Sequence, residues 1–385
     1  MKKLILALFF NAAINVFAQN VGIGTTTPAA SAKVEINSVN SGFLLPRMNT
    51  AQRNAIASPA TGLLIFNTDN NSLEMWNATA WLSFGSQGVL NNGVPVGPTC
   101  TNSWTQKADF GGTARTGGAS FSIGNKGYAG LGYDGTYRKD FWEYDPLTNS
   151  WTQKADFGGT ARSAPVSFAL GTKGFVGTGY DGTYRKDFWQ YDPETNIWSP
   201  KTDFGGVARS SASGFVIAGK GYICLGGDGT DKIDLWSYDT LANAWTARAD
   251  FTGGGRSSAT GFSLGSKGYM GTGQLSTTGA YKKDIWEYDP VGNNWTAKAD
   301  FAGGSRAAAT AFTIGSKTYF GLGNNNGTAK KDLWEFDPVA NTWLQKTDFG
   351  GTARYNIISF VVGNKAYVGL GADPASKKDF WEYCQ

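Results

Sequence analysis

Histidine is absent from all 385 residues. That excludes Ser-His-Asp and Cys-His nucleophilic catalysis, and it excludes His-ligated zinc, copper or iron. Charge is sparse as well: Asp, Glu, Lys and Arg make up 17%, the net charge is +4, and the signs are interspersed with no long basic run. A nucleic-acid surface gathers cations to neutralise phosphates, so no nucleic-acid partner is expected. Beyond the N-terminus no stretch is apolar enough to span a bilayer. Cysteine occurs three times, at Cys100, Cys224 and Cys384.

Glycine (53 residues) and aromatics (14%) are abundant, a composition that suits short strands and tight turns. The opening MKKLILALFFNAAINVFAQ carries Lys2 and Lys3, an apolar stretch and Val16-Phe17-Ala18. It predicts a secretory signal peptide over 1–18, cleaved after Ala18. The apolar run is short and holds Asn11 and Asn15, which disfavours a membrane anchor. No cysteine adjoins the cleavage site, so a lipoprotein anchor is not expected. Secretion or cell-surface display is the predicted localisation.

Tryptophans recur at Trp104, Trp151, Trp198, Trp245, Trp295 and Trp343, with spacings of 47, 47, 47, 50 and 48. A second series, Trp142, Trp189, Trp236, Trp286, Trp334 and Trp381, keeps the same period. Arg115, Arg162, Arg209, Arg256, Arg306 and Arg354 track both. Each unit reads as four short strands, for example ASFSIG, KGYAGLG, KDFWEYD and SWTQKA, with Gly, Asp-Pro and Asn at the turns. Such a unit, repeated with aromatics and glycines in fixed places, predicts a propeller blade.

The unit resembles the kelch repeat: an Arg before the first strand, a Gly-rich end to the second, then Tyr-Asp-Pro with a Trp seven residues after the Tyr. Tyr144 to Trp151, Tyr191 to Trp198 and Tyr238 to Trp245 keep that spacing. The second strand departs from the family by ending Gly-x-Gly, as in Gly130-Leu131-Gly132, with a true pair only at Gly226-Gly227. The resemblance implies an all-β, six-bladed kelch-type propeller over 100–385. Kelch propellers include a copper oxidase, which the missing histidines exclude, and a sialic acid mutarotase, which the sequence does not exclude.

Residues 19–84 lack the repeat, and 85–99, rich in Gly, Pro and Asn, read as a linker. The stretches NVGIGTTTP and GFLLPRM…ATGLLIFNT resemble an N-terminal module of exported Bacteroidetes surface proteins and, in part, phage tail-fibre segments. Two readings stand for this small β-rich module. One is a homo-oligomerising or attachment stalk; the other is a β module without such a role.

In a propeller, the loops between strands two and three share a face with those joining successive blades. Binding is expected on that face, since variable loops on a rigid scaffold carry recognition. There Arg115, Arg162, Arg209, Arg256, Arg306 and Arg354 form a ring of candidate ligand residues, with Asp109, Asp156, Asp203, Asp250, Asp300 and Asp348 beside them. An arginine-lined channel would suit an anionic sugar or carboxylate. The favoured alternative is structural: every repeat carries the pair, so each Arg locks adjacent blades. Tyr137 and Tyr184, each followed by an Arg, offer stacking surfaces for sugars or peptide side chains, or else pack on neighbouring loops. The pair Asp228 and Asp231 matches no complete calcium loop, so a solvated turn is favoured. No catalytic residues, cofactor or metal are expected. The leading reading is therefore a binding or adhesion module for a glycan or protein ligand, with no catalysis evident. The alternatives are a sugar-acid isomerase or mutarotase-like enzyme, and a structural display unit of an oligomeric surface protein.

The chain ends FWEYCQ, where earlier units read FWEYDP and continue into a fourth strand. The missing strand stands at the front, CTNSWTQKAD, so the last blade is expected to combine both ends of the chain. By register Cys384 aligns with Asp145 and Cys100 with Leu147, which brings their Cα atoms within the roughly 4.4–6.8 Å of a disulfide. An exporting compartment would form the bond, and the chain-entropy model gives it up to about 5 kcal/mol. Cys224, standing where other repeats have glycine, reads as a buried free thiol. Non-reducing peptide mapping should recover a Cys100–Cys384 cross-link; recovery of both thiols free would refute the pairing.

Overall fold

Strict alternation sets the inner strand of every repeat. In Ala119–Ile123, Ala119, Phe121 and Ile123 are buried while Ser120 and Ser122 are half-buried, the two-residue period of a pleated strand. In the computed structural model, which describes residues 21–23, 25, 34–69, 72–84, 90–91 and 102–385, the chain divides into the units Met1–Gly97 and Pro98–Gln385. The second unit is an all-β propeller whose described residues form six four-stranded antiparallel sheets.

Blade one runs Ala119–Ile123, Lys126–Tyr133, Tyr137–Asp145 and Ser150–Lys154, neighbours in chain order pairing antiparallel. Blades two to five repeat it. Blade six joins the chain ends: Ile358–Val362, Lys365–Gly369 and Phe380–Cys384 are completed by Ser103–Lys107 from the front. Tyr383 pairs with Trp104 and Cys384 with Ser103, the same register as Tyr144 with Trp151 and Asp145 with Ser150. Side chains restore the missing turn: the Tyr383 hydroxyl donates to Asn102 Oδ1 at 2.8 Å, as the Tyr144 hydroxyl does to Asn149 within a continuous blade. Cys384 is buried, whereas Cys100 lies outside the described residues. Cys224 is buried and free, and burial pushes its thiol pKa up.

Two devices hold blade to blade. At four of the six junctions, an inner-strand phenylalanine (Phe121, Phe168, Phe215 and Phe360) packs into a gap left by a glycine of the next blade. A Cβ on Gly174 would lie 2.1 Å from the Phe121 ring, and one on Gly221 would lie 2.3 Å from Phe168. The second device is a closed circuit of backbone hydrogen bonds. Gly117, Ala164, Ser211, Ser258, Ala308 and Asn356 stand two residues after the six arginines, all at positive φ between 51° and 61°. Ala164 N donates to Gly117 O, Ser211 N to Ala164 O, Ser258 N to Ser211 O, Ala308 N to Ser258 O, and Asn356 N to Ala308 O. Gly117 N donates to Asn356 O and closes the circle, with every bond between 2.8 and 3.1 Å. A left-handed non-glycine residue costs roughly 1–2 kcal/mol, and here the circuit holds it in place.

The first unit builds a five-stranded sheet, Arg47–Met48, Leu64–Asn67, Ser72–Trp76, Trp81–Phe84 and Leu90–Asn91. Leu90–Asn91 thus pairs within the sheet although the sequence places it in the linker. One short helix, Thr50–Asn54, starts on a capping box in which Asn49 and Gln52 exchange hydrogen bonds. Its Arg53 meets the fully buried Glu74 at 2.7 Å, and Ile65 and Leu82 are the buried apolar residues beside them. So small a core leaves apolar surface uncovered: Ile23, Val34, Ile36, Val39, Phe43 and Leu44 are all exposed. Among the described residues no helix is long and apolar enough to cross a membrane. The predicted signal peptide lies outside them.

Candidate functional site

The six arginines are the largest fully buried side chains of the propeller, each 0–1% exposed. Arg162 shows what they do. Its Nη1 and Nη2 grip Asp187 bidentately at 2.6 and 2.7 Å, Nη1 also donates to Thr178 O, and Nε donates to Thr160 O. The Trp189 indole N–H donates to the same carboxylate at 2.8 Å, and the guanidinium lies 5.1 Å from the centre of the Phe157 ring. One side chain therefore ties the interblade loop, the end of strand two and the start of strand three. The accepted carbonyl belongs to a residue at φ 59°, the middle of the Gly-x-Gly motif, so the clamp holds a left-handed turn. Glycine two residues after the interblade aspartate is equally determined: a Cβ on Gly111 would lie 2.5 Å from the Trp142 indole.

Asp140, Asp187, Asp234, Asp284, Asp332 and Asp379 are the partners, not the interblade aspartates that the sequence sets beside the arginines. Five of those meet lysines instead, from Lys283–Asp300 at 3.1 Å to Lys139–Asp156 at 3.8 Å. Both carboxylates repeat in register with the arginine, so the period alone does not tell them apart. The expected arginine-lined channel is also corrected. Gly118, Ser120, Ser167, Thr260, Thr310 and Ser359, from inner strands and their approaches, line a central cavity of about 260 Å3 with no charged residue among its described lining. Its hydroxyls bridge blades: Ser167 Oγ donates to Ser120 O and Ser120 Oγ to Ser359 O, both at 3.0 Å.

Tyr137 and Tyr184 sit on the loop face. Two tyrosines unremarked in the sequence, Tyr133 and Tyr180, join them into one row. Ring centres are 5.2 Å apart from Tyr133 to Tyr137, 6.1 Å from Tyr137 to Tyr180 and 5.1 Å from Tyr180 to Tyr184. The exact repetition of YDGTYRKDFW at 133–142 and 180–189 was the available signal. The next blade's loop fixes each segment: Phe157 N donates to Lys139 O and Arg162 N to Arg138 O. Below the row lie two equivalent clefts. One, of about 680 Å3, is lined by Thr113, Tyr137, Arg138, Lys139 and Asp156. The other, of about 480 Å3, is lined by Thr160, Tyr184, Arg185, Lys186 and Asp203. Arg138 Nε contacts both oxygens of Asp134, and Arg185 Nε those of Asp181, at 2.8–3.0 Å. Burial opposes ionisation of Asp181, but hydrogen bonds from Thr160, Arg185 and Thr183 outweigh it and bring its pKa down to about 2.

In blade three, Asp228 meets Lys232 and Thr230. Asp231 accepts from the backbone and hydroxyl of Ser276 at 2.7 and 2.6 Å, so the longer loop of blade four is pinned to blade three. Among the described residues no group of three or more His, Cys, Asp or Glu stands close enough to hold a metal.

Residues 22–99 match the family model of a phage tail like trimerisation region, in keeping with the tail-fibre resemblance of that module. Many chains of solved structures match. One is the structure of YjhT, at TM-score 0.61 and 17% identity, covering 72% of this chain and 95% of that one. A likeness at that identity establishes the fold. Comparison of the sequence with curated proteins found no match.

Two outcomes follow from the clamps. Arg209→Ala leaves Asp234 without its partner and should destabilise the propeller by about 3–5 kcal/mol, read as a lower urea midpoint. Acid should act on five of the clamps together. Burial would raise Asp140, Asp187, Asp234, Asp284 and Asp379, but hydrogen bonds and charge from the arginines hold each below its ordinary 3.8. Carboxylates lowered on folding stabilise above their unfolded pKa and lose that contribution as pH falls through the folded one. The urea midpoint should hold from pH 7 to about 5 and drop below about 4; a midpoint unchanged down to pH 2.5 would contradict the clamps' role.

Proposed function

We propose that this is an exported, trimeric surface protein whose propeller recognises a ligand through its loop face. One observation carries the reading: the propeller separates a repeated, internally satisfied scaffold from loops that are shared by blades one and two and differ in the other four. Tyr-rich segments cap blades one and two. An Asp231–Ser276 bridge pins the loop of blade four. Short hairpins, Asn324–Asn325 with Thr328–Ala329 and Ala372–Asp373 with Ala375–Ser376, shape blades five and six. Recognition concentrates on such loops, where a rigid frame limits the entropy lost on binding.

The chain joins the propeller at the opposite edge, because Ser103–Lys107 starts beside the turn that follows strand three. A trimerising module would bring three propellers into one assembly. Three copies would then act together on a repetitive surface, with avidity well above that of one site. Export is supported by Lys2, Lys3 and the apolar run after them, and a Cys100–Cys384 bond would suit that compartment. Light scattering on the purified full chain should give three times the chain mass, and Phe43→Asp with Leu44→Asp should lower it, since both residues lie exposed in the matched segment. A strictly monomeric mass would overturn the trimeric part of the reading.

A further inference from the structure

We infer that blades one and two together form a two-subsite groove for a linear, neutral polysaccharide; the inference rests on the loop face being the recognition surface. Duplication is the first argument. YDGTYRKDFW occurs only in these two adjacent blades, and each copy makes a cleft with the same Tyr-Arg-Lys-Asp lining. Two identical subsites one blade apart match a ligand that repeats itself.

The aromatic row is the second. Tyr133, Tyr137, Tyr180 and Tyr184 run without a break from one cleft to the other, their planes inclined to one another by 54°, 75° and 55°. No two of them stack face to face; Tyr137 and Tyr180 meet edge to face, and the outer pairs are tilted. Tyr133 and Tyr184, the ends of the row, are 42% and 38% exposed. Rigid aromatic faces beside fixed polar groups suit the C–H faces and hydroxyls of pyranose rings.

Charge decides the class of polymer. Each cation lining the clefts already faces a carboxylate: Arg138 with Asp134, Arg185 with Asp181, Lys139 with Asp156, Lys186 with Asp203, and the buried arginines with Asp140 and Asp187. A polyanion would meet no unpaired positive charge here, and it would face six aspartates. A neutral chain meets balanced donors and acceptors instead.

The test is calorimetric titration of the full chain with neutral β-linked gluco-, manno- and xylo-oligosaccharides of increasing length, beside hyaluronate oligomers and a random peptide pool. For at least one neutral series, affinity should rise by roughly tenfold or more at the length that reaches the second cleft. Tyr137→Ala or Tyr184→Ala should return the long oligomer to the affinity of the short one, while Tyr184→Phe, which keeps the ring, should retain most of the gain. Unchanged thermal unfolding of the variants excludes misfolding as the cause. Glycan binding indifferent to both alanine variants would overturn the groove and leave loop-face recognition standing. Preference for hyaluronate or peptide, or affinity independent of length, would likewise overturn it. Silence toward every probe would count against the groove and against loop-face recognition together.

Discussion

A buried guanidinium held bidentately by a buried-side carboxylate is the interaction on which the propeller depends. In each blade it fixes three segments to one another: the linker from the previous blade, the left-handed end of strand two, and the start of strand three. A lone buried cation would be prohibitive, and a lone carboxylate beside it nearly as costly. With carbonyls, an indole N–H and a phenylalanine ring completing the shell, every donor has an acceptor. Two residues further on stands the left-handed residue of the backbone circuit. The clamp thereby sets the inner rim of the ring as well as the outer geometry of each blade.

That division explains where variation is tolerated. Clamp, tryptophan and glycine recur because each occupies space that a substitution would have to share; the Cβ missing from Gly111 would overlap Trp142. Loops between strands two and three are tied to the scaffold in part through backbone groups, as when Lys139 O and Arg138 O accept from the next blade. The backbone on either side of Tyr137 and Tyr184 is fixed independently of their rings, which then meet Tyr133 and Tyr180.

Much of this was legible in the sequence, for reasons that are specific. Six blades follow from the tryptophan period, and closure follows from a final unit lacking the strand that SWTQK supplies at the front. The arginines' structural role was readable because symmetry argued for it. Their partners were not, since Asp109-type and Asp140-type residues keep the same period. Nor was the backbone circuit, whose members are Gly, Ala, Ser, Ser, Ala and Asn; main-chain bonds leave no side-chain signature. The same holds for Leu131 and Thr178, left-handed residues of types that ordinarily avoid that conformation. Tyr133 and Tyr180 open the repeated YDGTYRKDFW, but their joining into one row rests on proximity across blades, which no local spacing encodes. In the first unit, Glu74 is buried against Arg53, Asn67 and Ser83, partners that lie up to 21 residues away and leave no local signal.

The circuit of six left-handed residues has a further consequence. Its peptide groups point head to tail around the axis, so their dipoles lie tangentially and largely cancel, unlike the aligned dipoles of a helix. The rim of the central cavity therefore carries no built-in preference for ions of either sign, in accord with its hydroxyl lining. A loop of bonds also has no terminus, and nothing in it records where the polypeptide starts. The break in the chain falls inside blade six, away from the circle, so that moving the break to another blade would leave the circle whole. Rotational equivalence of this kind makes the propeller's centre a property of the closed sheet ring and not of the order in which its strands are threaded.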